Sequence, residues 1–176
     1  MRLVSGGNEE FNQVLRRRLQ WSESIQADVE EIIKDVRRRG DAALVEYTMK
    51  FDGVKLSPGD FWARQEEIEK AYLAIEPEFI TAMRRAQENI VDFHRRAMAG
   101  SWFDALSNGR MVGQLVVPVA RAGVYVPGGT AAYPSTVLMT VIPAKVAGVE
   151  EITLATPPDS SGQVNPYVLV AAAECG

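Results

Sequence analysis

Residues 123–158 read GVYVPGGTAAYPSTVLMTVIPAKVAGVEEITLATPP. The alternation that begins at Gly123 stops at Pro127-Gly128-Gly129, and an apolar segment of a different period begins near Pro134. This pattern predicts a strand over 123–126, a helix over about 134–148 and a buried strand over 151–156, closed by Pro157-Pro158. Strand, glycine turn, helix and strand at this length make a βαβ unit, with parallel strands and a right-handed crossover. Pro143 falls inside the expected helix, where its ring removes one hydrogen bond and predicts a kink.

The glycine pair admits two readings. A strand-to-helix turn presents free N–H groups and a partial positive charge, which suits a phosphate. Neither standard nucleotide loop is written here, however. The adjacent Gly128 and Gly129 do not space as GxGxxG, and Gly129 stands where a Walker A loop has its lysine. The plain alternative is a turn in which Pro127 and the glycines fix unusual backbone angles. Tyr125 favours a ligand, because ligands of open α/β sheets sit at the carboxyl ends of strands and an aromatic ring there can stack on a planar group.

Outward from this unit the chain changes character. Asn108-Gly109 lies between two alternating runs and predicts a β-hairpin in 101–119. The first hundred residues read as helices, over about 8–20, 24–39, 41–50, 65–74 and 77–99, with a short strand expected near Trp62. Gly40 suits a helix stop, and Pro77 a first helical position. Phe79, Met83, Ala86, Ile90, Phe93 and Ala97 recur at intervals of four and three, a narrow seam for packing against another helix. Asn165-Pro166 opens a last helix. Three parts follow: 1–100 mainly helical, 101–122 hairpin and connection, and 123–176 the start of an α/β domain.

The totals limit the function. In 176 residues the charged fraction is 24% and the net charge −4, which disfavours a nucleic-acid surface. The N-terminal residues lack the apolar core of a secretory signal, and no run is long enough to span a membrane. One cysteine, Cys175, allows no intrachain disulfide and fits a reducing, cytoplasmic setting. With His94 the only histidine, a well-formed transition-metal site within this chain is not expected, since such sites draw on several Cys or His ligands. His94 itself is expected to be a hydrogen-bonded structural residue.

The blocks GVYVPGG, PSTVLMT and IPAKVAGV, with RRRGDAAL at 37–44, FDGVKL at 51–56 and NIVDFHRR at 89–96, resemble the N-terminal part of histidinol dehydrogenases. The resemblance implies an α/β fold: a helical N-terminal part, a hairpin and an incomplete Rossmann-like βαβ unit. It implies oxidation of L-histidinol to L-histidine through a bound aldehyde, by two NAD-dependent hydride transfers, in a cytoplasmic homodimer that binds one zinc ion per subunit. It assigns Tyr125 to contact NAD and makes Pro127, Gly128 and Gly129 neighbours of that cofactor. The family's zinc ligands and its Glu-His proton-transfer pair belong to a second half with no counterpart in this sequence. The expectation is therefore an N-terminal segment that is inactive alone. A non-catalytic assembly or binding module, with the βαβ unit as scaffold, is the alternative.

Overall fold

A computed structural model describes residues 23–128 and 132–176. The helix expected over 8–20 and Gly129 lie outside these residues. The chain divides into two compact units, one ending at Tyr47 and the other beginning at Thr48.

In the first unit, α1 (Glu23–Arg39) ends in three arginines and is stopped by Gly40. Gly40 adopts φ 59°, which a glycine reaches without steric cost, and its N–H donates to Val36 O at 2.8 Å. Asp41 opens α2 (Asp41–Phe51), which runs on into the second unit. Asp35 accepts hydrogen bonds from Arg39 Nε and Arg38 Nη2, both at 2.8 Å, and from Tyr47 OH at 3.2 Å. The Arg39 guanidinium, above all, holds the Asp35 carboxyl well below the usual carboxylate range.

The second unit contains the βαβ element. Pro58–Asp60 form a 3-10 turn, followed by α3 (Gln65–Ala74) and α4 (Pro77–Ala97). No strand forms near Trp62. Asp60 Oδ2 instead accepts from Ser57 N at 3.0 Å and Ser57 Oγ at 2.6 Å, tightening the backbone into a turn there. The hairpin forms as expected, with β1 (Trp102–Ala105) antiparallel to β2 (Met111–Gln114). Gly109 carries φ 75° in its turn, and Asn108 Oδ1 accepts from Arg110 N at 3.1 Å.

After the hairpin come β3 (Arg121–Tyr125), α5 (Pro134–Val146), β4 (Glu151–Ala155) and α6 (Pro166–Cys175). The strands β3 and β4 are parallel, in register from Arg121 opposite Glu151 to Tyr125 opposite Ala155. The α5 helix runs through Pro143, whose carbonyl accepts from Ala147 N at 2.9 Å. Asn165 caps α6, its side-chain oxygen accepting from Tyr167 N at 3.0 Å.

The core lies between α5 and α6 on one side of this sheet. Val137, Leu138, Val141 and Ile142 of α5 are buried with Val168, Val170, Ala171 and Cys175 of α6, and Val126, Ala71, Ile75 and Met83 join them. Burying each of the fully enclosed valines stabilises the fold by roughly 1.5–3 kcal/mol. The seam on α4 is only partly covered. Phe79, Met83, Ala86 and Ile90 pack on this core, whereas Phe93 is 66% exposed.

One carboxylate ties three helices together. Glu174 accepts from Arg84 through Nε and Nη2, both at 2.7 Å, and from Tyr72 OH at 2.8 Å, while its backbone carbonyl accepts from Gln87 Nε2 at 3.1 Å. Hydrogen bonding to Arg84 lowers the Glu174 pKa, and burial together with the Glu174 bond pushes Tyr72 up to about 12. At the opposite end of α6, Tyr167 sets its ring edge-on to Phe79 at 4.8 Å and donates to Glu76 Oε2 at 2.9 Å.

Candidate functional site

The alternation of β3 decides what its carboxyl end presents. Side chains alternate across a strand, so Ala122 and Val124 face one side, and Arg121, Gly123 and Tyr125 the other. Val124, with Ile152 and Leu154 of β4, packs on the core. The opposite face is bare: Arg121, Gly123, Tyr125, Glu151, Thr153 and Ala155 are all exposed. Parallel sheets are ordinarily covered on both faces. Tyr125 closes this open face at the carboxyl end of β3, 65% exposed.

Just beyond it the chain is gripped tightly. Val126 is fully buried, and its N–H donates to Ala155 O at 2.9 Å, one step past the strand register. Pro127 is exposed and Gly128 half-buried. The reason for glycine at 128 is a close approach by Pro157. A Cβ on Gly128 would stand 2.9 Å from Pro157 Cγ, 3.1 Å from Pro157 O and 3.3 Å from Pro157 Cδ. Gly128 has no positive φ, so crowding, not backbone geometry, excludes a side chain. The space a side chain would need is thus filled by protein. Tyr125 and Pro127 remain open toward solvent, while Gly128 faces a proline ring. The Pro157 contact was invisible in sequence, although Pro157-Pro158 did signal the end of β4.

A second feature flanks the unit. A cavity of about 530 Å³ is lined by Trp62, Ile68, Leu154, Val164, Leu169 and Ala172 among others. It adjoins β4, which pairs only with β3 among the described residues. An unpaired strand edge beside an apolar hollow is an incomplete surface.

No group of three or more His, Cys, Asp or Glu residues among the described residues could hold a metal ion. The residues in hand therefore do not fit the zinc site that the resemblance implies. His94, in the last turn of α4, meets the ring of Phe93 edge-on at 5.2 Å; it has no hydrogen-bond partner among the described residues, contrary to expectation. Cys175 is buried, and desolvation pushes its thiol up to about 11. Among the described residues no helix is long and apolar enough to cross a membrane.

A parallel strand-helix-strand unit with one bare face, an unpaired edge on each strand among the described residues and an exposed aromatic at the carboxyl end is of the open α/β class, whose ligands ordinarily sit beyond the strand ends. Comparison with known proteins makes the class specific. The family model described as histidinol dehydrogenase matches residues 15–176, and the chain belongs to that family. It is 51% identical over 159 residues to the histidinol dehydrogenase of Moorella thermoacetica, covering 90% of this chain and 38% of that protein. It is 40% identical over 176 residues to that of Heliobacterium mobile, covering 100% and 41%. The crystal structure of histidinol dehydrogenase from Elizabethkingia anophelis superposes with a TM-score of 0.82 at 37% identity, over 89% of this chain and 36% of that one. The chain thus spans well under half the length of these relatives.

Proposed function

We propose that this chain supplies the NAD-facing part of a histidinol dehydrogenase, an enzyme oxidising L-histidinol to L-histidine through L-histidinaldehyde, and that it is inactive without the remainder. The observation that carries this reading is Tyr125, exposed at the carboxyl end of a parallel strand within a chain of this family. Its ring is free to stack on a planar group of the dinucleotide, and Pro127 lies beside the same path. NAD accepts the hydride when bound; this chain's part is to hold it and to shape the sheet edge beneath it. Zinc and the proton-transferring residues belong to the remainder, so no step of the reaction is assigned to side chains here. Gly129 is assigned with Pro127 and Gly128 to the cofactor's surroundings, Gly128 acting through Pro157.

The bare sheet face, the unpaired edge of β4 and the apolar hollow support the same reading, as surfaces that the rest of a larger fold covers. The reading also places the protein in the cytoplasm as a homodimer, with residues 1–100, 101–122 and 123–176 as its successive parts. The test is reconstitution. The chain is joined to the remaining segment of the Moorella thermoacetica enzyme, and NADH formation from L-histidinol is followed with zinc present. Turnover by the joined protein, and none by either piece, is expected. An inactive joined protein beside an active intact relative favours the assembly-module reading.

A further inference from the structure

We propose that Pro157 is a positioning residue for the dinucleotide, acting through Gly128 to fix the path by which the chain leaves β3; the proposal rests on the assignment of Tyr125 above. Tyr125 and Ala155 are the last paired residues of the parallel ladder. Past them, among the described residues, only one further backbone bond, Val126 N–H to Ala155 O, joins the two segments, and Pro127 has no N–H to add another. The segment would then be free to splay, but the half-buried ring of Pro157 lies against Gly128, leaving no room for a methyl group. The Pro157 side of the contact is stiff. The proline ring can yield only by a change of pucker, the Pro157 carbonyl oxygen stands 3.1 Å from a Cβ on Gly128, on the same side, and Pro158 restricts residue 157 to extended backbone. The contact therefore acts as a stop that sets the backbone three residues after the exposed tyrosine. A stop of this kind governs how well Tyr125 is placed for a ligand without touching the ligand itself, and small misplacements near a binding group are costly.

Gly128→Ala drives a methyl into the ring, and Pro157→Ala takes the ring atoms away while Pro158 keeps residue 157 extended. In the isolated chain, amide exchange at Val126, whose N–H donates to Ala155 O, is measured in the wild type, both single variants and the double variant. Gly128→Ala is expected to speed exchange there by about tenfold while leaving Val124 and Thr153, whose N–H groups point into the ladder, protected, and adding Pro157→Ala is expected to recover most of that loss, a coupling that independent sites do not show. In the protein joined to the Moorella thermoacetica remainder, Gly128→Ala is expected to raise KM for NAD about tenfold with kcat changed less than about twofold, and the double variant to return toward wild type. Unchanged exchange in Gly128→Ala, or a Pro157→Ala that fails to rescue it, overturns the interlock. Altered exchange with wild-type KM for NAD overturns the positioning role, and it does so even where Tyr125→Ala weakens NAD and the assignment of Tyr125 stands.

Discussion

Replacing Glu174 by alanine removes the acceptor shared by Tyr72 of α3 and Arg84 of α4. The two losses differ in size because the partners differ in exposure. Arg84 is 60% exposed against 11% for the Glu174 side chain, so its guanidinium rehydrates readily and the ion pair contributes only about 0.2–1 kcal/mol. The half-buried Tyr72 hydroxyl loses its acceptor at a cost of about 0.5–1.5 kcal/mol. Glu174→Ala should therefore destabilise the second unit by about 0.7–2.5 kcal/mol in urea unfolding followed by circular dichroism near neutral pH. The pH dependence has a definite sign. Hydrogen bonding to Arg84 depresses the folded-state pKa of Glu174, so its stabilisation is present above the unfolded glutamate value of about 4.3 and is lost as pH falls through the lower folded value. The gap between wild type and variant should therefore narrow on acidification. Glu174→Gln, which keeps the volume but not the charge, should fall between the two at neutral pH. A stability difference near zero, or one that stays constant from neutral to strongly acid pH, would refute this account of the cluster.

Three other predictions concern the fold. Val137→Ala, at a fully buried position where α5 meets the core, should cost about 2 kcal/mol through lost burial and the cavity left behind, measured by thermal or urea unfolding. Cys175, buried and with a thiol pKa raised to about 11 by desolvation, should react with a disulfide reagent at least about tenfold more slowly in the native chain than in denaturant. The hairpin exposes Trp102, Phe103 and Met111, and α4 exposes Phe93, so sedimentation velocity at micromolar concentration should detect self-association of the isolated chain; a single compact monomer would contradict it.

Features set by neighbours in sequence were legible in advance. Gly40 announces its stop because the requirement for positive φ is local, and Asn108-Gly109 announces the hairpin for the same reason. The βαβ unit could be read because the alternating period of β3 gives way to an unbroken apolar stretch between two turn signals. The short strand near Trp62 was misread because the capping of Ser57 by Asp60 outweighs the apolar residues beside it. Contacts between distant segments were not legible. Nothing in GVYVPGG says that Gly128 lies under Pro157, and nothing in the seam of α4 says that cover stops short of Phe93. Arg84 and Glu174 carry no local mark of their pairing. In the candidate site, the exposed tyrosine could be inferred from strand period and position, whereas the cause of the neighbouring glycine required the fold.

The most direct test of the central claim is the dissociation constant of NAD for the joined protein with Tyr125→Ala, measured by equilibrium titration. If the ring stacks on the dinucleotide, its removal weakens binding by about 1–3 kcal/mol, roughly fivefold to 150-fold, while Tyr125→Phe, which keeps the ring, stays near wild type. An alanine variant that binds NAD as tightly as the wild type would contradict the claim that this edge faces the cofactor.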